Sequence, residues 1–106
     1  MLNKSTQFNQ ELQELASFAK VLSHPARIQI LQELINKKSC TCLDIVDELP
    51  LAQSTVSQHL KVLKEVGIIE GHIDGTRICY CINTEKMKKL RDGFTALFKN
   101  SFNKCC

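Results

Sequence analysis

The chain has 106 residues, 43% of them apolar and 24% charged, with 14 Lys and Arg against 11 Asp and Glu for a net charge of +3. That balance excludes disorder over most of the length and leaves room for one modest core but little for a large catalytic cleft. No stretch approaches the roughly 18 apolar residues of a membrane span, and the polar start from Met1 to Gln7 has no secretory apolar core, so a cytosolic protein is expected.

In chain order, Phe8, Leu12, Leu15, Ala16, Ala19 and Leu22 recur at three- and four-residue spacing and predict an amphipathic helix over about 7–22. Ser23-His24-Pro25 breaks it, and Pro25 suits the first turn of a second helix, where its missing N–H costs nothing. Ile28, Leu31, Leu34 and Ile35 mark that helix, which stops near Asn36-Lys37-Lys38. A short third helix follows, with Thr41 as N-cap, Asp44 as its capping-box partner, Ile45, Val46 and Leu49 as apolar face and Pro50 as stop. After the turn Leu51-Ala52-Gln53, Ser54 caps a fourth helix from Thr55 to Val66, with Val56, Leu60 and Leu63 on one face and Gly67 as left-handed C-cap. The period then changes. Two β-prone runs flank Asp74-Gly75, a strong hairpin signal, with Ile78, Tyr80 and Ile82 on one face of the second strand and Cys79 and Cys81 on the other. A last helix begins near Asn83-Thr84 and carries Met87, Leu90, Phe94, Leu97 and Phe98, a stripe more apolar than a lone surface helix needs.

This order describes a mainly α fold with a β-hairpin wing: a winged helix-turn-helix, read as one domain over 1–106 with a tail over about 100–106 expected to fray. The second helix of such a unit enters the major groove of double-stranded DNA with its N-terminal side chains at base edges. Here those side chains are Ser54, Thr55, Ser57, Gln58 and His59, and Gln58 can bond adenine bidentately. Lys61 and Lys64 suit phosphates. Arg77, near the wing tip with His72 and Thr76, suits a phosphate or the minor groove. No Gly-rich phosphate loop, paired carboxylates, Ser/His/Asp spacing or Cys-x-x-Cys supports catalysis.

From Leu22-Ser23-His24-Pro25-Ala26-Arg27-Ile28, through Cys40 and the run Ser54-Thr55-Val56-Ser57-Gln58-His59-Leu60-Lys61-Val62-Leu63-Lys64, to Gly67-Ile68-Ile69 and Asp74-Gly75-Thr76, the sequence resembles the ArsR/SmtB family of winged-helix repressors. The resemblance covers about residues 10–100. It implies a homodimer, paired through its first and last helices, that binds an operator and leaves it when a metal, metalloid or reactive sulfur ligand arrives.

The six cysteines fall in three close pairs, Cys40/Cys42, Cys79/Cys81 and Cys105/Cys106. Cys40 and Cys42 flank the start of the third helix, where a helix N-terminus favours thiolate, a soft ligand for arsenite, antimonite, cadmium, zinc or copper(I). The resemblance assigns a Cys-x-Cys at this point to the effector site. Some arsenic sensors of the family carry a further cysteine three residues on, where this chain has Ile45, so a third thiolate is expected from Cys105 or Cys106 of either subunit. Cys79 and Cys81, about 6.5–7 Å apart along one strand face, suit a mutual disulfide poorly but could grip one soft ion, and are secondary candidates. Residues 84–106 hold no histidine, and His24, His59 and His72 fit no ligand spacing, which disfavours the family's histidine-rich site type. The favoured reading is a repressor released by arsenite or antimonite, then cadmium or lead. Its rivals are a redox or reactive-sulfur sensor pairing Cys40 or Cys42 with Cys105 or Cys106, and a protein-interaction module with a decayed DNA surface.

Overall fold

A computed structural model describes residues 7–36, 40–99 and 101–102. Five helices and one hairpin follow each other as α1 (Gln10–Val21), α2 (Pro25–Ile35), α3 (Cys42–Glu48), α4 (Gln53–Val66), β1 (Ile69–Asp74), β2 (Arg77–Ile82) and α5 (Thr84–Lys99). Local chemistry sets most boundaries. Asn9 Oδ1 accepts from Leu12 N at 2.9 Å and opens α1, Pro25 stands in the first turn of α2, and Thr41 Oγ1 accepts from Asp44 N at 3.2 Å to open α3. Asn83 Oδ1 does the same for α5, accepting from Lys86 N at 3.1 Å.

Gly67 (φ +88) ends α4, as its sequence position predicts. Gly67 N bonds Lys64 O and Ile68 N bonds Leu63 O, the paired closure of a Schellman motif. The start of α4 differs from expectation. The helix begins at Gln53 with Ala52 in the cap position and no side-chain cap bond, so Ser54 lies inside the first turn instead of capping it.

The core draws one stripe from each element: Phe18 and Val21 of α1, Ile30, Leu31 and Leu34 of α2, Ile45 and Leu49 around α3, Val56, Leu60 and Leu63 of α4, then Ile68, Ile69 and Leu90. Two predicted faces are rotated. On α2, Ile30 is fully buried whereas Ile28 and Ile35 are exposed. On α1, Phe18 and Val21 go in while Phe8 and Leu12 stay out. Both helices have apolar residues on more than one side, so periodicity alone leaves the buried side undecided.

The hairpin pairs Ile69 with Ile82, Glu70 with Cys81, Gly71 with Tyr80, His72 with Cys79, Ile73 with Ile78 and Asp74 with Arg77. Its two-residue loop is therefore Gly75-Thr76, one position later than the predicted Asp74-Gly75, with Gly75 at φ +65. In an antiparallel pair that single step moves every cross-strand partner by two residues; the predicted loop would have set His72 against Arg77. Tyr80 N donates to Cys40 O at 2.8 Å, so the residue before α3 lies along the free edge of β2.

α1 and α5 pack together through Phe18 and Phe94, whose ring centroids are 5.9 Å apart, and through Leu15 over Gly93. A Cβ at Gly93 would stand 2.7 Å from Leu15 Cδ2, so any side chain there would push the tip of Leu15 aside. Glu14 adds ion pairs to Lys89 at 3.1 Å and Lys86 at 3.7 Å. No helix among the described residues is long and apolar enough to cross a membrane.

Candidate nucleic-acid interface and cysteine site

α3, the turn after Leu49 and α4 build the reading unit. With Val56, Leu60 and Leu63 driven inward, the 3.6-residue period turns Ser54, Ser57, Gln58, Lys61 and Lys64 outward along one face, and all are exposed. Thr55 is exposed beside them. The salt bridges among the described residues involve neither these lysines nor Arg77. Arg77 stands exposed at the start of β2, beside the wing tip.

His59 is placed otherwise than expected. It is 7% exposed, on the inner side of α4 three residues from Val56 and four from Leu63, and not on the DNA-facing side. Arg27 Nε donates to His59 Nδ1 at 3.1 Å, and Arg27 also donates to Val21 O at 3.2 Å. The His24 ring, in the cap position of α2, lies 4.7 Å from the His59 ring. Burial, then the neighbouring His24 and Arg27, hold the His59 pKa below its ordinary value. The helical period could have shown this inward placement; the short polar run around His59 masked it. Arg27 as its partner had no local signal, being 32 residues away.

The cysteines split into two environments. Cys42 Sγ lies 3.3 Å from Ser57 Oγ and 4.0 Å from Gln53 O, so it rests against the reading helix. Cys40 instead turns to the wing, where its side chain shares a hydrogen bond with the Cys79 thiol. That bond, partial burial and the negative charge that Cys40, Cys81 and Asp74 can place nearby push the Cys79 thiol up to about 11. Cys40, Cys42, Cys79 and Cys81 are free thiols. Cys105 and Cys106 lie outside the described residues.

The pairing register also collects a group that sequence spacing did not suggest. Glu70, His72 and Cys81 place their ligand atoms within 4.8 Å of one another. His72 Nε2 is 3.7 Å from Glu70 Oε2. Linear spacing along the chain could not find this group, because strand pairing sets Glu70 opposite Cys81, eleven positions on, and leaves His72 diagonally across from Cys81.

A polar, cation-bearing reading helix, supported from behind by a short helix and flanked by a hairpin, defines a winged helix-turn-helix DNA-binding protein. A helix-turn-helix domain profile matches residues 22–72. The transcriptional repressor PagR of Bacillus anthracis is 35% identical over 77 residues, covering 73% of this chain and 77% of that protein. The cadmium resistance regulatory protein CadC of Listeria innocua is 29% identical, covering 84% of this chain and 75% of that protein. Among solved structures, an ArsR-like transcriptional regulator from Rhodococcus sp. RHA1 superposes with a TM-score of 0.71 at 25% identity over 83% of this chain and 82% of that one. A possible transcriptional regulator for arsenical resistance does so at 0.64 with 28% identity over 80% and 83%. The chain belongs to the ArsR/SmtB family of DNA-binding transcriptional repressors; the relatives named here are regulators, not enzymes.

Proposed function

We propose that two copies of this chain clamp an operator, and that a thiol-seeking ion captured at Cys40 and Cys42 releases it. Arsenite and antimonite are the first inducers, cadmium and lead the next. The observation that carries this reading is the divergence of the two thiols beside α3. Cys42 rests on Ser57 of the reading helix, and Cys40 on Cys79 of the wing. One ion held by both must draw them together, break both contacts and shift α4 relative to the wing. A swing from mostly bound to mostly free DNA takes about 5.5 kcal/mol, within reach of several metal–sulfur bonds formed better in one conformer. A third thiolate comes from Cys105 or Cys106. The chemistry of the set fits: thiols are the donors that soft metals and metalloids prefer, and Cys40 and Cys42 are free.

Dimerisation is supported by the apolar side chains left outside on α1 and α5. Leu12, Leu97 and Phe98 are all more than half exposed, and Leu12 and Leu97 line the groove between these helices.

The test is arsenite titration of the protein–operator complex under strong reductant, for wild type and for Cys40→Ser/Cys42→Ser. Wild type should release DNA and the variant should hold it. Equal release by both would reject the site, and release only by oxidant or persulfide would replace the metalloid with a redox signal.

A further inference from the structure

The wing carries a ligand set of which the Cys40/Cys42 reading uses only Cys79, and that as a contact and not as a ligand. Strand alternation sends Glu70 and His72 of β1 and Cys79 and Cys81 of β2 to one face, opposite the face where Tyr80 and Ile82 pack on the core. Cross-strand pairing sets His72 opposite Cys79 and Glu70 opposite Cys81. The donor atoms of Glu70, His72 and Cys81 already lie within 4.8 Å of one another.

We propose that this outer face of the wing is a metal site of its own, in which His72, Cys79, Cys81 and Glu70 hold a divalent, thiophilic cation of the Zn(II) and Cd(II) class. Tetrahedral coordination at the usual zinc bond lengths sets donor atoms roughly 3.3–3.8 Å apart. For Glu70, His72 and Cys81 the present spacing is close to that distance, and Cys79, opposite His72, joins them by leaving its contact with Cys40. Mixed sulfur, imidazole and carboxylate donors suit these ions; a magnesium- or calcium-like ion would take oxygen alone. As the two metal–sulfur bonds form, the two thiol protons leave to solvent and nothing is oxidised. Binding at Cys79 also withdraws that thiol from Cys40, so the wing site and the segment before α3 share one contact. The site stands on the hairpin register and not on the inducer assigned above.

Co(II), as a spectroscopic stand-in for Zn(II), tests it on the full chain under reductant and without DNA. Wild type and Cys42→Ser should both develop tetrahedral Co(II) bands with sulfur-to-metal charge transfer, and the His72 ring resonances should shift on metal addition. His72→Ala, an exposed position whose loss should leave the helical circular dichroism unchanged, should weaken binding at least roughly tenfold, and Cys81→Ser should also lose charge-transfer intensity. Binding as tight in His72→Ala and Cys81→Ser as in wild type would overturn the proposal. So would binding abolished by Cys42→Ser. Failure of arsenite release in the DNA experiment bears on the Cys40/Cys42 reading alone, since that experiment uses no divalent metal.

Discussion

The Arg27–His59 hydrogen bond ties the inner side of the reading helix to the α1–α2 junction. It needs a neutral imidazole with Nδ1 free to accept, and protonation would replace that acceptor by a cation beside Arg27. Burial lowers the His59 pKa below 6.5, so the unfolded chain takes up the proton first. The stability contribution is therefore complete above pH 6.5, shrinks as pH falls below it, and stops shrinking below the folded-state pKa. Denaturant midpoints measured across mildly acidic pH should fall more steeply for wild type than for His59→Gln, which keeps an acceptor but does not titrate. Parallel pH curves would refute the role given to His59. The Cys79 thiol shifts the other way, upward, so an ion that takes it must displace a proton.

At the scale of the element, α4 divides its labour by period. Val56, Leu60 and Leu63 hold it, and Ser54, Gln58, Lys61 and Lys64 stand exposed on the opposite side, with Ser57 exposed beside them and touching Cys42. These two groups predict different losses. Gln58→Ala should cost about 1–3 kcal/mol on the preferred operator and relax selectivity at one base pair. Lys61→Ala should weaken binding to all sequences alike and reduce the salt slope by about 1. Mobility-shift titrations at several salt concentrations, on operator and scrambled duplex, separate the two. An unaltered preference in Gln58→Ala would remove it from base reading. The wing follows the same logic with a period of two: one face supports it against the core, and the other carries Arg77 and the ligand set.

At the scale of the whole molecule, the proposed dimer is tested by the apolar surface that α1 and α5 leave uncovered. The first helix was expected to bury Phe8, Leu12, Leu15, Ala16, Ala19 and Leu22; Phe18 and Val21 are buried, Leu15 and Leu22 pack half-buried against the core, and Phe8, Leu12, Ala16 and Ala19 are exposed. The chain's own core thus uses one side of α1, and Leu12 with its exposed neighbours is left uncovered by this chain. Leu97→Glu should convert a dimer into a folded monomer, visible as halved mass in sedimentation with unchanged helical content, and should weaken operator binding. An undiminished dimer would place the interface elsewhere. Two reading helices must sit about one DNA turn apart to grip a palindrome, so the α1/α5 seam would set their spacing.

The reach of the sequence differs from feature to feature. Helix starts and stops were legible wherever a single side chain acts on the backbone beside it: Thr41 before α3, Pro25 in α2, Gly67 after α4. The outward face of α4 was legible because the inward residues are unambiguous. The rotation of α1 and α2 was not, because each offers two apolar sides and only the neighbouring helices choose between them. The wing loop was misplaced by one residue, since Asp74-Gly75 and Gly75-Thr76 both satisfy turn chemistry; core packing of Ile69, Tyr80 and Ile82 fixes the register. By itself the sequence determined the element order, the reading helix and a supply of soft donors, because those follow from neighbours along the chain. Tertiary structure alone decided that Arg27 is the partner of His59, that Cys40 and Cys42 part company, and that His72 meets Cys81. Those outcomes depend on contacts between residues far apart in the chain, which only the packed fold brings within reach.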